Sequence, residues 1–407
     1  MNNKAWESLY LNSQHLEKPA SVKGLISNNE IEEIQGMMLE ILRSFIEKGE
    51  MHIGLKTYID QELRNDMADR MTALPPQQHD TLESWSQRIF GDQKFGMVLN
   101  YLEGFSNSFA EKAANIVSPL LSIAGMPLEG LSFLFFMGNY GFTPFGIHKE
   151  SIGEEGILFH LGPGNKQFYA WDDPELNSME HNSQVFHNVE EMLPNAQCYE
   201  LEPGDAMFVP HNVYHVANTS EFSISFVMDY INPPSDRFEN QLFKSAGENE
   251  VLINKNSYQV PLKMESNIAD WSELLNFESI KRKMEVSFQR RILDLKSNGG
   301  ILRKSNFSRG FQFPNGIFII QGKSIFPLFQ QELSNNRVML FARGHRIVKQ
   351  NHKNFSFLLE KLNNGEGVSL ITIKELLEPE WDITEIYGFV SDLLQVDAVS
   401  HRIELTE

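Results

Sequence analysis

Helical periodicity dominates the first third of the chain. After the polar run at 27–30, which supplies N-cap residues and an acidic first turn, apolar residues recur at close to 3.6-residue spacing until Gly49, a suitable residue to end a helix. Similar patterns open at Asp80 and run over 106–124. We therefore predict that residues 1–130 are mainly helical.

The pattern changes at Leu131. Short apolar runs, bounded by Gly, Pro or Asn, then follow one another as far as Pro233, and each run predicts a short buried strand. Several short strands separated by turns are typical of a β-barrel or jelly roll. We predict a barrel over 131–234. The strand candidates begin at Leu131, Gly156, Gln167, Asp205 and Phe222.

The remaining chain returns to helical and mixed patterns. A helical stretch, clearest over 271–296, leads to the turn-forming residues Asn298-Gly-Gly. We interpret 235–300 as a helical linker and 301–407 as a small α/β module. Strand candidates in that module begin at Val338 and Arg346, and helix candidates begin at Phe355, Thr372 and Glu385.

Composition indicates a packed globular protein. The 407 residues are 41% hydrophobic and include 30 Phe, which is enough for two domains and a sizeable core and is unlike a disordered chain. Cys198 is the single cysteine, so an intrachain disulfide framework and zinc-finger chemistry are excluded. The sequence after Met1 lacks a signal-peptide pattern, and no segment has 18 uninterrupted apolar residues. We expect a cytoplasmic protein that does not insert into membranes.

Charge is unevenly distributed along the chain. The net charge is −19, yet residues 281–361 contain 16 Lys and Arg against 4 Asp and Glu. Such a basic segment indicates either an anionic partner or packing against the acidic remainder of this chain or of a second copy, and we favour packing. The strongly acidic total argues against a nucleic-acid partner, because it repels phosphate at a distance.

Three residues have the chemistry of a metal site: His148, Glu150 and the distant His215. In an extended strand, residues i and i+2 point to the same side, so His148 and Glu150 would face one centre, and a neighbouring strand would supply His215. Two imidazoles and one carboxylate on one face suit non-haem Fe(II) and leave other coordination positions open. His-x-Glu alone is a weak signal, and its weight depends on the flanking sequence.

The flanking sequence contains several further motifs in a fixed order. They are Gly138, Thr143-Pro144, His148-Lys-Glu150, Gly164-Asn-Lys166, Pro203-Gly-Asp205, Pro210 and His215. With these motifs, residues 138–233 resemble the JmjC or cupin-like family of Fe(II)/2-oxoglutarate oxygenases, which are double-stranded β-helix proteins. Several independent matches in the right order are far more specific than any one of them.

The resemblance implies that His148, Glu150 and His215 bind Fe(II). Glu150 stands where Asp is the commoner residue of the family. His211 is an alternative ligand, but the family places the final histidine a few residues after the proline, which favours His215. We interpret His160, on a predicted strand, as a hydrogen-bonded barrel histidine and not as a ligand.

The resemblance also implies a 2-oxoglutarate site. Lys166 would pair with the distal carboxylate of this cosubstrate, and Thr143 would donate a hydroxyl hydrogen bond to it. Thr143 lies five residues before His148, whereas some family members have a spacing of three, and Tyr140 is an alternative for the same role.

The last hundred residues are similar to the winged-helix tail of bacterial ribosomal-protein hydroxylases in this superfamily. The similarity rests on a Phe-x-x-Leu-Leu-Glu-x-Leu-Asn pattern at 355–363 and on the helices that follow. In those relatives the helices after the barrel mediate dimerisation, which implies a homodimer. The implied fold is α+β: a helical N-terminal region, a double-stranded β-helix core, a helical dimerisation segment and a winged-helix-like module.

The expected activity is Fe(II)- and 2-oxoglutarate-dependent hydroxylation of a side chain in a protein or peptide substrate, with release of succinate and CO2. One alternative is oxidation of a small molecule or free amino acid by the same chemistry. Another is a cupin-like protein that binds a metal or a peptide without catalysis.

Overall fold

The computed structural model describes residues 3–47, 54–178, 185–249, 277–308 and 312–403, with the single residues 49, 264, 265, 267 and 269. Its α+β architecture is built around two antiparallel sheets, of eight and four strands, that pack face to face as a double-stranded β-helix. The predicted α+β class with a double-stranded β-helix core is confirmed, and the winged-helix character of the C-terminal module stays a prediction. The predicted start of the linker helix at 271 lies outside the described residues.

Five helices cover one face of the larger sheet. They are α1 (Asn3–Asn12), α2 (Asn28–Glu47), α3 (Met67–Ala73), α4 (Leu82–Phe90) and α5 (Asn107–Ala124). Helix α4 begins where predicted, because the Thr81 side chain accepts a hydrogen bond from the backbone N–H of Ser84 in a capping box. The Ser106 hydroxyl caps α5 in the same way by accepting from the N–H of Phe109. The three helices predicted in this region are confirmed.

The same region also contains four strands that the prediction of a mainly helical region missed. They are β1 (Ala20–Val22), β2 (Leu55–Ile59), β3 (Glu62–Leu63) and β4 (Phe95–Asn100). Strand β4 is nearly buried throughout, so its sequence shows no alternation that would separate a strand from a short helical segment. Tertiary pairing decides its conformation, since β4 extends the large sheet next to the first barrel strand.

The remaining barrel strands follow in chain order. They are β5 (Gly130–Gly138), β6 (Gly141–Phe142), β7 (Glu154–Pro163), β8 (Lys166–Trp171), β9 (Gln197–Leu201), β10 (Ala206–Val209), β11 (Tyr214–Thr219) and β12 (Ser223–Ile231). The large sheet has the order β1-β10-β7-β12-β5-β4-β2-β3, and the small sheet has the order β6-β11-β8-β9. All five predicted strands are present as β5, β7, β8, β10 and β12, whereas β6, β9 and β11 were missed.

Short helices and the C-terminal module complete the described chain. Two single turns, α6 (Pro174–Asn177) and α7 (Val189–Met192), follow β8, and two 3-10 turns span Leu102–Gly104 and Leu193–Asn195. After the barrel come α8 (Ser235–Asn249) and α9 (Phe277–Lys296). The module itself contains β13 (Phe318–Gly322), β14 (Phe329–Leu333), β15 (Arg337–Ala342), β16 (His345–Gln350), α10 (Phe355–Asn363), β17 (Gly367–Ser369), α11 (Leu370–Leu377), α12 (Ile383–Gln395) and β18 (Val399–Ile403).

The two largest hydrophobic clusters among the described residues lie in different parts of the fold. One core lies between the N-terminal helices and the large sheet and includes the fully buried rings of Trp6, Trp85 and Phe159. The other lies inside the C-terminal module, where Trp381 and Phe389 pack edge to face. Because the helices fill only the outer face of the large sheet, its inner face is left to form the interior of the barrel.

The basic segment packs in part against acidic residues of the same chain, as favoured from the sequence. Lys323 Nζ lies 2.7 Å from Glu111 of α5 and 2.8 Å from Asp397 of the module. Arg303 approaches the fully buried Glu103, with 3.6 Å between the guanidinium Nε and a carboxylate oxygen. Part of the local charge excess is therefore neutralised within the fold.

None of the helices among the described residues is long and apolar enough to cross a membrane.

Candidate metal centre and adjoining cavity

His148 and His215 meet at one point of the barrel wall. Their backbones form an isolated antiparallel bridge: the His148 N–H donates to the His215 carbonyl at 3.1 Å, and the His215 N–H donates back at 2.9 Å. His148 thus lies in a single bridge and not in the continuous strand expected from the sequence. Glu150 Oε1 lies 3.3 Å from His215 Nε2 and 3.9 Å from His148 Nε2. One possible ligand atom from each residue lies within 4.8 Å of the others, a spacing that could hold a metal ion.

Backbone carbonyls orient both imidazoles. His148 Nδ1 lies 2.9 Å from the Gly146 carbonyl, and His215 Nδ1 lies 3.1 Å from the Val213 carbonyl. A neutral ring that donates from Nδ1 keeps the lone pair of Nε2 for the centre. Gly146 has a φ of +77°, and a Cβ at this position would lie 2.5 Å from the Phe186 carbonyl oxygen, so only glycine fits this turn.

Two phenylalanine rings of the cavity wall contact the two imidazole rings. Phe145 meets the His148 ring edge to face, with 4.6 Å between ring centres. Phe168 on β8 stacks on the His215 ring at 5.3 Å and an interplanar angle of 13°. Both rings therefore have few alternative orientations.

Burial and the contacts between these groups set the protonation states of His148 and Glu150. Burial lowers the pKa of His148 to about 4, with a further contribution from His215. Burial alone would raise the pKa of Glu150, but the hydrogen bond and charge of His215 and the charge of His148 outweigh it and lower the value to about 2. At neutral pH the cluster thus has a neutral His148 and an ionised Glu150, the forms in which these groups bind a divalent metal.

A cavity of about 310 Å³ adjoins this cluster inside the barrel. His148, Glu150 and His215 line it, and the exposed fractions of their side chains are 19%, 34% and 6%. Most of the remaining wall is apolar and includes Val98, Leu134, Phe136, Leu158, Val209 and Val227. The cluster thus faces a space that a small molecule or a side chain can enter.

Lys166, predicted to bind the cosubstrate, is fully buried on β8. Its Nζ donates a 2.9 Å hydrogen bond to the hydroxyl of Tyr140, and lies 5.6 Å from the ring centre of Phe136 in the cavity wall. Burial lowers the pKa of Lys166 to about 7 and raises the pKa of Tyr140, with no carboxylate among the described residues close enough to offset the effect on the lysine. A buried ammonium with one neutral partner is well suited to an anionic ligand.

Thr143 lines the cavity but uses its hydroxyl on the barrel backbone. The hydroxyl donates to the Ala217 carbonyl at 3.1 Å and accepts from the Ala217 N–H at 3.2 Å. These bonds tie the segment before His148 to β11. Of the two alternatives weighed for the cosubstrate site, Tyr140 is the one in contact with Lys166.

His160 and His211, which the sequence did not favour as ligands, lie outside the cluster. His160 is fully buried, with Nε2 2.7 Å from the Gly164 carbonyl and Nδ1 3.4 Å from the Ser225 hydroxyl, and burial lowers its pKa to about 3. It is a hydrogen-bonded barrel histidine, as interpreted. His211 pairs instead with Glu155, at 2.7 Å.

Asp229 on β12 is a cavity residue that the sequence reasoning missed. It lines the same cavity as Glu150, and burial together with the nearby charges of Glu150, Glu154 and Glu103 raises its pKa well above the usual range. Its signal in the sequence was a single acid directly after the apolar run of β12, on the same face of the strand as Val227.

Comparison with known proteins gives a fold and no sequence relative. No protein-family model and no curated protein matches the sequence. Among solved structures, that of YcfD from Escherichia coli is similar with a TM-score of 0.53 and 12% identity, over 97% of both chains. A second structure, described as the ribosomal oxygenase YcfD in complex with cobalt and 2-oxoglutarate, has a TM-score of 0.51 and 13% identity over 99% of this chain and 98% of that one. The chain therefore shares its overall fold with YcfD along nearly its full length.

Proposed function

We propose that this protein is an Fe(II)- and 2-oxoglutarate-dependent dioxygenase that hydroxylates a side chain of a protein or peptide, releasing succinate and CO2. One observation carries the proposal: His148, Glu150 and His215 converge on a cavity, and the buried Lys166 Nζ lies 5.6 Å from the ring centre of Phe136 in the wall of that cavity. The similarity in fold to YcfD is consistent with it.

The donor set fits iron. Two imidazole nitrogens and one carboxylate oxygen are the ligands that non-haem Fe(II) sites use, with other positions left for a cosubstrate and dioxygen. Both Nδ1 atoms already have a backbone acceptor, so both Nε2 atoms are directed to the centre. His148, Glu150 and His215 would therefore hold the metal.

The position of Lys166 fits a cosubstrate that also reaches the metal. Lys166 and Phe168 are i and i+2 on β8, so they lie on the same face of the strand about 7 Å apart. Phe168 in turn stacks on the ring of His215. A dicarboxylate such as 2-oxoglutarate has one anionic end for the ammonium and another for the metal, and the 2-oxoglutarate complex of YcfD supports this assignment.

The protein's own groups would orient the reactants and exclude water. When bound, iron, 2-oxoglutarate and dioxygen together supply the oxidising power that converts a substrate C–H bond to C–OH, while the cosubstrate becomes succinate and CO2. Leu134, Phe136 and Val227 line the reaction space and limit access of water. Tyr140 holds Lys166 in place through its hydroxyl.

A protein or peptide substrate is favoured over a free metabolite. The description of YcfD as a ribosomal oxygenase supports a protein substrate. Asp229 and Asn100 add acceptor groups to a largely apolar wall, and these would hold a side chain that donates hydrogen bonds. We further propose a homodimer, which agrees with the exposed rings of Phe243, Phe277 and Phe288 on α8 and α9.

The test is formation of succinate from 2-oxoglutarate by the purified protein. We expect formation to require Fe(II) and to be lost in His148→Ala, with His211→Ala as the matched control that keeps activity. Metal binding without any succinate would favour the non-catalytic alternative. Hydroxylation adds one oxygen atom, so the product gains about 16 Da. Finding this increase on a peptide or on a free metabolite decides between the two substrate classes.

A further inference from the structure

Lys149 lies between two of the proposed ligands and has no part in the chemistry proposed above. It is only 9% exposed, although lysine is among the residues least often buried. Its Nζ donates a 2.9 Å hydrogen bond to the backbone carbonyl of Asn177 and lies 4.6 Å from the ring centre of Tyr214. The side chain is therefore directed into the protein and not to solvent.

The contacts of Lys149 connect the segments that carry the site. Tyr214 directly precedes His215 on β11. Asn177 ends the turn that follows β8, and its side-chain amide donates to the Trp171 carbonyl at the end of that strand. One ammonium group thus joins the His148–Glu150 segment to β11 and to the end of β8.

Burying the charged ammonium of Lys149 has a cost in stability. Burial lowers the pKa of Lys149, which shows that the surroundings disfavour its charge. The hydrogen bond to the Asn177 carbonyl and the Tyr214 ring act against this penalty. An apolar side chain would fill the same position without burying a charge, but it could not hold the Asn177 carbonyl.

We propose that Lys149 is a positioning residue for the metal centre. Through its contacts with Asn177 and Tyr214, Lys149 would keep His148 and Glu150 next to His215 in the metal-free protein. The His148–His215 bridge is isolated, and no strand among the described residues pairs continuously with the segment of Glu150. This proposal rests on the proposed metal site.

The test is titration of metal-free protein with Co(II), followed by visible absorbance. We expect Lys149→Met to weaken Co(II) binding about 10- to 100-fold, as is usual when a group that supports metal ligands is lost. Lys149→Arg keeps the charge and a donor, and it should recover part of the affinity. Lys18→Met is the matched control, because Lys18 forms a surface ion pair with Asp172 and is half exposed.

Thermal unfolding of each metal-free variant separates positioning from general stabilisation. A lower Tm with Co(II) affinity within twofold of wild type would overturn the proposal. If Lys149→Met does not fold, the Co(II) affinity of Tyr214→Leu is measured instead. It removes the ring that Lys149 contacts together with the edge-to-face contact to Phe186, and we expect about three- to tenfold weaker Co(II) binding, whereas an unchanged affinity would overturn the proposal. Failure of the wild-type protein to bind Co(II) would instead contradict the proposed function.

Discussion

Two polar clusters lie inside the same barrel and are held by different means. The cluster of His148, Glu150 and His215 is oriented by backbone carbonyls and remains open to the cavity. The pair of Lys166 and Tyr140 is held by burial, with one hydrogen bond between its members. The first cluster presents electron pairs to a cation, and the second presents a cation to an anion. Under the proposed function, one ligand would bridge a metal at the first cluster and Lys166 at the second.

Removing a ligand should have the largest effect, and it should be confined to the first cluster. Glu150→Gln keeps the size of the side chain but removes the charge, so we expect Co(II) affinity to fall by at least about 100-fold and succinate formation to be lost. Calorimetric titration with Co(II) measures the affinity. Glu155→Gln is the control, since Glu155 pairs with His211 outside the site. Normal metal binding by Glu150→Gln would remove Glu150 from the proposed ligands.

Removing the charge of Lys166 should weaken the binding of 2-oxoglutarate and leave the binding of metal unchanged. Lys166→Met fills the same space without a charge, so we expect 2-oxoglutarate binding to weaken about 10- to 100-fold, the value of a charge-assisted hydrogen bond. Co(II) affinity should stay within twofold. Titration with 2-oxoglutarate in the presence of Mn(II) measures the effect. Equal losses of metal and cosubstrate affinity would show that the clusters do not act separately.

The lysine also predicts a dependence of cosubstrate binding on pH. The pKa of Lys166 is lowered from 10.5 to about 7, so an anionic ligand that binds the charged form must bring a proton with it above pH 7. The dissociation constant of 2-oxoglutarate should therefore rise by up to about tenfold per pH unit above 7. The unfolded chain keeps this proton up to pH 10.5, so the contribution of Lys166 to the free energy of unfolding increases as pH rises from 7 to 10.5. A pH series with Lys166→Met should lack the rise in dissociation constant.

The smallest expected effects on 2-oxoglutarate binding should show whether Tyr140 or Thr143 supplies the hydroxyl near the cosubstrate. Tyr140→Phe removes the partner of Lys166 and should weaken 2-oxoglutarate binding about three- to tenfold, the value of one hydrogen bond. Thr143→Val should leave that binding within twofold, because the Thr143 hydroxyl bonds to Ala217. Its loss should instead lower the free energy of unfolding by about 1 kcal/mol. The opposite ranking in a side-by-side titration would restore Thr143 as the cosubstrate residue.

Sequence reasoning predicted the parts of the molecule that follow local rules. Apolar runs between turn residues identified β5, β7, β8, β10 and β12, and the ordered motifs brought together the three residues that meet in space. It missed β4 and β11, because a strand buried on both faces has no alternation and because tertiary pairing decides its conformation. Asp229 was missed for a related reason. It lines the cavity next to Glu150 only because β12 pairs with its neighbouring strands, and the sequence alone does not show that pairing. The predicted division at 130, 234 and 300 stays a prediction, although strand pairing joins β4 to β5 across the first boundary.

The most direct test asks whether the two clusters bind one ligand together. It is a calorimetric titration of 2-oxoglutarate into wild-type protein with Mn(II), into metal-free protein, and into Lys166→Met with Mn(II). We predict tight binding only in the first case, and binding at least about tenfold weaker in the other two, since each lacks one of the two charged contacts. Binding of equal strength with and without Mn(II) would contradict a cosubstrate that bridges the metal and Lys166.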